Sequence, residues 1–362
     1  METVFQAQIS YNQFLSDAGA PLQALPEWAG KPDILVRYYR NMVQLRQLDN
    51  KIIALQRTGQ MGTYASLLGA EAIEVVLGEL MLSDDVLVPY YRNHGLQMLR
   101  GLPLEDMLSY WGGDERGSAS ATMAEDFPNA VPIATQALHA AGVATAIRIR
   151  GEKRAVVTVC GDGATSKGDF LEALNVAGAW QLPVVFVVNN NQWAISVPRS
   201  LQSAAATLAQ KAIGAGIRGE QVDGNDVIAL HESVTEALKH AREGKGPTLI
   251  EAISYRLSDH TTADDATRYR SNEELKAAWE REPIKRLQTF LHAQGWWDEV
   301  QETAWQKEVA QIIQQGLDSF LQRPPQPVED LIDYLYAELP DALKEQRERL
   351  IRNAQPGGNH HE

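Results

Sequence analysis

Cysteine is almost missing from this chain: of its 362 residues, only Cys160 is one. That excludes an internal disulfide and any zinc site built on clustered cysteines, and it fits a reducing compartment. Bases are also scarce, with 33 Lys and Arg against 47 Asp and Glu, for a formal net charge of −14. Such a balance speaks against nucleic acid and against an anionic membrane surface as main partners. No apolar run approaches the ~18 residues of a bilayer-crossing helix. The segment 1–30 lacks the basic start and apolar core of a signal peptide, and it is too acidic and Arg-poor for a transit peptide. The expectation is a soluble, cytoplasmic protein.

What is present suits an ordinary globular interior. Apolar residues make up 44%, and the length allows one large α/β domain or two smaller ones. Helical periodicity runs over Ile34–Arg57 and again over Gly69–Met81, followed by a short apolar strand at Val86–Val88. Trp111–Pro128 is small, polar and glycine-bearing, and reads as a long flexible loop. Pro132–Ile149 is alanine-rich and helical. Arg154–Cys160 and Pro183–Val188 are continuous β-branched runs, expected as buried parallel strands on either side of a helix at Gly168–Gln181. Further pairs follow: strand Ile217–Val222, helix Val227–Arg242 and strand Thr248–Ile253. This is the pattern of an α/β fold, a parallel sheet flanked by helices. The expected division is an arm over 1–33, the α/β domain over 34–272, and a helical, charge-rich region over 273–362 packed on that domain. The last residues, QPGGNHHE, read as a frayed tail.

Two strand ends carry the chemistry. Gly161-Asp162-Gly163 stands where the first buried strand stops, and its glycines let the backbone turn sharply and approach a phosphate. Asp162 offers a hard carboxylate oxygen. Asn191, 29 positions on, stands just past the second strand and offers an amide oxygen. Adjacent parallel strands bring both tips together. One carboxylate, one amide oxygen and a carbonyl are too few for calcium but suit Mg²⁺, whose octahedron is completed by phosphates and water. A lone Gly-Asp-Gly is a common turn. The Gly-Lys-Ser/Thr ending of a Walker loop is missing, as is a nicotinamide GxGxxG. The two motifs together, one βαβ unit apart, are specific.

The stretch GDGATSKGDFLEALNVAGAWQLPVVFVVNNNQWAIS resembles the thiamine-diphosphate enzymes, and among them the alpha subunit of the first component of pyruvate and branched-chain 2-oxo acid dehydrogenases. LVPYYRNHG, VPIATQALHAAGVA and YRLSDHTTADDATRYR extend the likeness across most of 34–297. The resemblance implies a thiamine-diphosphate-binding fold. It further implies that Asp162 and Asn191 bind Mg²⁺ through side chains and Trp193 through its carbonyl. Gly163 and Ala164 would lie against the diphosphate, with Tyr91 and Arg92 beside it. The backbone at Val131 and Ile133 would grip the aminopyrimidine, and Ile195 would form an apolar wall. Arg256 and His260 would sit on a mobile loop over the site, with His260 catalytic.

His139, His231 and His240 fall on expected helices and read as packing residues; His94 reads as support. Many relatives carry a second histidine in the loop corresponding to Trp111–Pro128, where this chain offers Arg116. Thr261 stands where relatives carry a phosphorylated serine, so kinase control is not expected. The resemblance implies oxidative decarboxylation of a 2-oxo acid, pyruvate first, with branched-chain 2-oxo acids or acetoin as alternatives. It implies transfer of the acyl group to a lipoyl disulfide on a transacylase core. It also implies an α₂β₂ heterotetramer, in which a beta chain supplies the glutamate that activates the cofactor.

Overall fold

The computed structural model describes residues 2–123 and 125–354. The expected frayed tail, from Gln355 onward, lies outside them. The chain forms two compact units, Met1–Leu317 and Asp318–Glu362.

Among the described residues the first unit has eight strands: β1 Tyr11–Asn12, β2 Val86–Val88, β3 Val156–Gly161, β4 Val184–Asn190, β5 Trp193–Ala194, β6 Val197–Pro198, β7 Arg218–Asp223 and β8 Thr248–Ile253. Six build one parallel sheet in the order β1-β7-β8-β4-β3-β2, while β5 and β6 pair antiparallel as a small hairpin. Its helices are α1 Pro32–Arg57, α2 Glu71–Leu80, α3 His94–Leu99, α4 Leu104–Gly112, α5 Thr135–Arg150, α6 Gly168–Ala179, α7 Arg199–Gln202, α8 Lys211–Gly214, α9 Val227–Arg242, α10 Asn272–Trp279 and α11 Pro283–Ala293. The long α12, Glu299–Gln322, spans the division between the units. Short helices α13, Asp330–Asp333, and α14, Asp341–Ala354, belong to the second unit, where Arg347 pairs with Asp333.

Strands β3 and β4 are buried along nearly their whole length because helices cover both sheet faces, which is why their sequences are continuous valine-rich runs. On one face, α5 and α6 lie close because they meet through alanines: Ala137, Ala140, Ala141, Ala144, Ala173 and Ala177 share one core with Val156, Val184 and Phe186. The register pairs Gly161 with Asn189, so the two motif-bearing ends finish side by side, as their spacing implied.

Two differences from the sequence reading have clear causes. The arm contains an edge strand, β1, that two polar residues could not announce. Its neighbours are held by the Asp226 carboxylate, which accepts from the N–H groups of Phe14 and Leu15 at 2.7 Å and caps α9 through Ile228 and Ala229. Trp111–Pro128 is not plain loop. Trp111 and Gly112 complete α4, and 3₁₀ turns form at Glu115–Ser118 and Ala121–Met123. A Cβ on Gly117 would lie 2.3 Å from the Asp106 carbonyl oxygen, so that segment folds tightly back on α4.

Candidate functional site

A cavity of about 210 Å³ opens at the carboxyl ends of β2, β3 and β4, where open parallel sheets place ligands. Each strand delivers its motif. Tyr90, Tyr91 and Arg92 follow β2; Gly161 to Ala164 end β3; Asn191 and Trp193 to Ile195 follow β4. His260 closes it from the loop after β8, and Ile133, Ala134 and Gln136 from the start of α5. Of the expected residues, Tyr91, Arg92, Ile133, Asp162, Gly163, Ala164, Asn191, Trp193, Ile195 and His260 line this space. Val131 and Arg256 do not: Val131 is 58% exposed just outside, and Arg256 stands behind the wall.

The β3 end is a 3₁₀ turn, Asp162–Ser166, pinned by Thr165 Oγ1 donating to the Asp162 carbonyl at 2.8 Å. Gly163 must be glycine here, since a Cβ would stand 2.6 Å from that of Ala194. Asp162 is buried, and burial pushes its carboxyl above the ordinary value, against a 2.5 Å hydrogen bond from Gln202 Nε2.

The three asparagines at the end of β4, two inside the strand and Asn191 just past it, face different tasks. Asn189 Oδ1 accepts from Ser254 Oγ at 2.5 Å, Asn190 Nδ2 donates to Glu251 at 2.7 Å, and only Asn191 lines the cavity. Beyond them the backbone is forced into the left-handed region at Gln192 (φ 71°) and Ile195 (φ 56°), and Ala134 across the cavity shares it (φ 69°). A β-branched residue there is a true outlier, and such strain gathers where a wall must hold a set shape. Arg256 holds it, with Nη1 donating to the Trp193 carbonyl at 3.1 Å and Nη2 to the Ile195 carbonyl at 2.8 Å. The Trp193 oxygen thus already accepts one hydrogen bond and keeps one lone pair for any other partner.

His260 sits between two cations. Its Nδ1 lies 3.4 Å from Arg92 Nη2 and 3.5 Å from Arg256 Nη1, both obligate donors. Nδ1 is therefore the acceptor, and the ring proton belongs on Nε2. Burial first, then the charges of Arg92 and Arg256, lower its pKa to about 4, opposed by Asp264. Asp264 Oδ2 accepts from the His260 N–H at 2.9 Å and from the Tyr269 hydroxyl. Arg92 also donates to the carbonyls of His260 (3.0 Å) and Ser66, leaving its buried Nε without a partner.

Sequence reasoning missed the support beneath Arg92. Asp49 of α1, fully buried, accepts from the hydroxyls of Tyr64 (2.6 Å) and Ser66 (2.5 Å), and His94 Nε2 meets the Tyr64 hydroxyl at 2.5 Å. That gives His94 its supporting place, with its pKa lowered by burial. Gln202 and Gln136 were missed as well. Gln136 bonds the Val159 carbonyl through Nε2, and its Oε1 is buried with no partner. Arg116 bonds the Asp114 carboxylate and is not part of the cavity lining. His139 lies on α5, and His231 and His240 on α9, as expected. Among the described residues no three His, Cys, Asp or Glu cluster as a metal site, and no helix is long and apolar enough to cross a membrane.

Comparison with known proteins shows the family. Residues 39–329 match the family described as "Dehydrogenase E1 component". Over 342 residues the chain is 42% identical to the 3-methyl-2-oxobutanoate dehydrogenase subunit alpha of Mycobacterium tuberculosis, covering 93% of this chain and 92% of the relative. The pyruvate dehydrogenase E1 component subunit alpha of Bacillus subtilis is 38% identical over 340 residues, 93% and 91% of the two chains. That of Mycoplasma genitalium is 38% identical over 303 residues, 84% and 85%. With relatives named as alpha subunits of pyruvate dehydrogenase and of 3-methyl-2-oxobutanoate dehydrogenase, the chain belongs to the dehydrogenase E1 component family.

Proposed function

We propose that this chain is the cofactor-diphosphate-binding alpha subunit of a pyruvate dehydrogenase, working with a separate beta chain and passing an acetyl group to a lipoyl carrier. The observation that carries this reading is the convergence of Asp162, Asn191, Arg92 and His260 on one cavity at three neighbouring strand ends.

The family is thiamine-diphosphate-dependent, and the residues suit that cofactor with Mg²⁺. Gly163 closes against Ala194 with no room for a side chain, and with Ala164 it lines the cavity, where a backbone turn of this kind can approach a phosphate. Arg92 keeps a buried, unpaired Nε, a donor waiting for an anion. Asp162 and Asn191, with the free lone pair of Trp193, are hard oxygens of the kind Mg²⁺ takes. When bound, thiamine diphosphate supplies the carbanion that adds to the 2-oxo carbon and the electron sink for loss of CO₂. This chain's part is to hold the charged end, keep an apolar wall with Ile133 and Ile195, and present the Nε2–H of a neutral His260 as a donor. Ile133 and Ile195 line the cavity yet are 46% and 55% exposed, which suits a site completed by a partner chain.

The second reading is a 3-methyl-2-oxobutanoate dehydrogenase, favoured by the 42% identity to the mycobacterial protein. Co-purification with the beta chain and a panel of pyruvate, 3-methyl-2-oxobutanoate and acetoin tests both. Cofactor-dependent CO₂ release highest with pyruvate is the expected outcome. A preference for the branched substrate selects the second reading, and no cofactor-dependent turnover with any of the three overturns both.

A further inference from the structure

Gln202, the last residue of α7, reaches back to the turn that ends β3. Its Nε2 donates to Asp162 Oδ2 at 2.5 Å and to the Val197 carbonyl at 3.1 Å. The contact leaves Asp162 Oδ1 free of Gln202. The other end of the amide is unusual: Oε1 is buried, has no partner, and lies 3.9 Å from where a Cβ on Gly163 would stand. Asp162 and Gly163 line the cavity, while Gln202 stands behind them, outside its lining.

We infer that Gln202 is a positioning residue for the divalent cation, bonding one oxygen of Asp162 so that the other is presented to the ion. Carboxylates that bind metals are themselves held by outer hydrogen bonds, and loss of such a partner costs about 10–100-fold in metal affinity. This inference rests on the reading of Asp162 as a Mg²⁺ ligand. Gln202 is separable from folding because other bonds hold its surroundings. Arg199 donates to the carbonyls of Ser203 (3.0 Å) and Ala205 (2.8 Å), and Lys211 Nζ to that of Thr165 (2.8 Å).

The test titrates Mn²⁺, in the presence of thiamine diphosphate, into the chain assembled with its beta partner, reading free Mn²⁺ by electron paramagnetic resonance. Gln202→Met keeps the length and the packing but removes both polar ends. The expected result is a Kd for Mn²⁺ raised about 10–100-fold, with the melting temperature of the ligand-free assembly within ~2 °C of wild type. An unchanged Kd overturns the inference. So does a ligand-free melting temperature that falls in step with affinity, because the glutamine would then be packing rather than positioning. Asp162→Ala separates the two levels: wild-type Mn²⁺ affinity in that variant removes the ligand reading itself, and this inference with it.

Discussion

Arg256 Nη2 donates to the carbonyl oxygen of Ile195 at 2.8 Å and so holds a β-branched residue at φ 56°, on the wall of the cavity. Holding an L-residue in that region costs roughly 1–2 kcal/mol, and the guanidinium is one of the groups that enforces it. Ile195 is 55% exposed, so its side chain contributes little burial to offset the strain.

Ile195→Gly is expected to leave the ligand-free protein as stable as wild type or up to ~1 kcal/mol more stable, since glycine adopts this backbone freely. The same change removes an apolar wall, so the affinity for thiamine diphosphate should fall. Calorimetry with and without cofactor checks both. A melting temperature several degrees lower without cofactor would mean that the Ile195 side chain packs more than its exposure indicates.

Asp162→Ala is expected to abolish cofactor-dependent turnover at ordinary Mg²⁺ concentrations while the protein stays folded. Burial already works against the Asp162 charge, so its removal spares the fold a buried carboxylate. Circular dichroism and CO₂ release on the assembled protein check the two halves. Turnover close to wild type would remove Asp162 from the metal site.

Much of this site was legible because its logic is local to strand ends. Gly161-Asp162-Gly163 and Asn191 follow two runs of β-branched residues, and neighbouring parallel strands leave one place for them to meet. Gly163 and Asn191 announce the turns by their chemistry, although Asn189 and Asn190 still belong to the strand. Gln202 was not legible, since nothing in a glutamine near the end of a short helix says that it bends back onto a carboxylate 40 residues earlier. The same holds for Asp49, which sits inside a long amphipathic helix and whose partners, Tyr64 and Ser66, come from an irregular segment. Arg256 was singled out, but its partners were not legible: it grips the backbone of Trp193 and Ile195, and it does not line the cavity. Composition marks which residues can do chemistry. Only packing decides which carbonyls a buried guanidinium meets.

Acid should weaken the fold through His260. Its pKa falls from 6.5 to about 4 on folding, by burial and by the charges of Arg92 and Arg256. Between those two values the unfolded chain binds a proton that the native chain refuses, so this group's contribution to stability falls as pH drops from about 6.5 to 4 and is constant above. His94 and His231, also lowered by burial, act in the same direction. Denaturation of wild type and His260→Gln at pH 7.5 and pH 5 isolates the His260 share. Wild type should lose more stability on acidification than the variant, and equal losses would place the imidazole in a water-like setting.

Chemistry and loop anchoring by His260 can be told apart because the loop has an anchor of its own. The Thr262 N–H donates to the Tyr64 carbonyl at 2.8 Å, and Thr262 Oγ1 accepts from the Tyr64 N–H at 2.9 Å. Asp264 takes the His260 backbone N–H rather than its ring, and Arg92 bonds the His260 carbonyl. All of these survive His260→Ala. The variant should therefore keep its cofactor affinity and the protease resistance of 258–270, while activity of the full complex falls at least ~10²-fold, the low end for general acid–base catalysis. Decarboxylation read with an artificial electron acceptor should suffer less than acyl transfer to lipoyl, if the Nε2–H serves the transfer step. Equal losses in the two assays, together with a loop newly open to protease, would assign the imidazole to structure. The bonds made by Thr262, Asp264 and Arg92 would then be too weak to hold the segment without the ring wedged between Arg92 and Arg256.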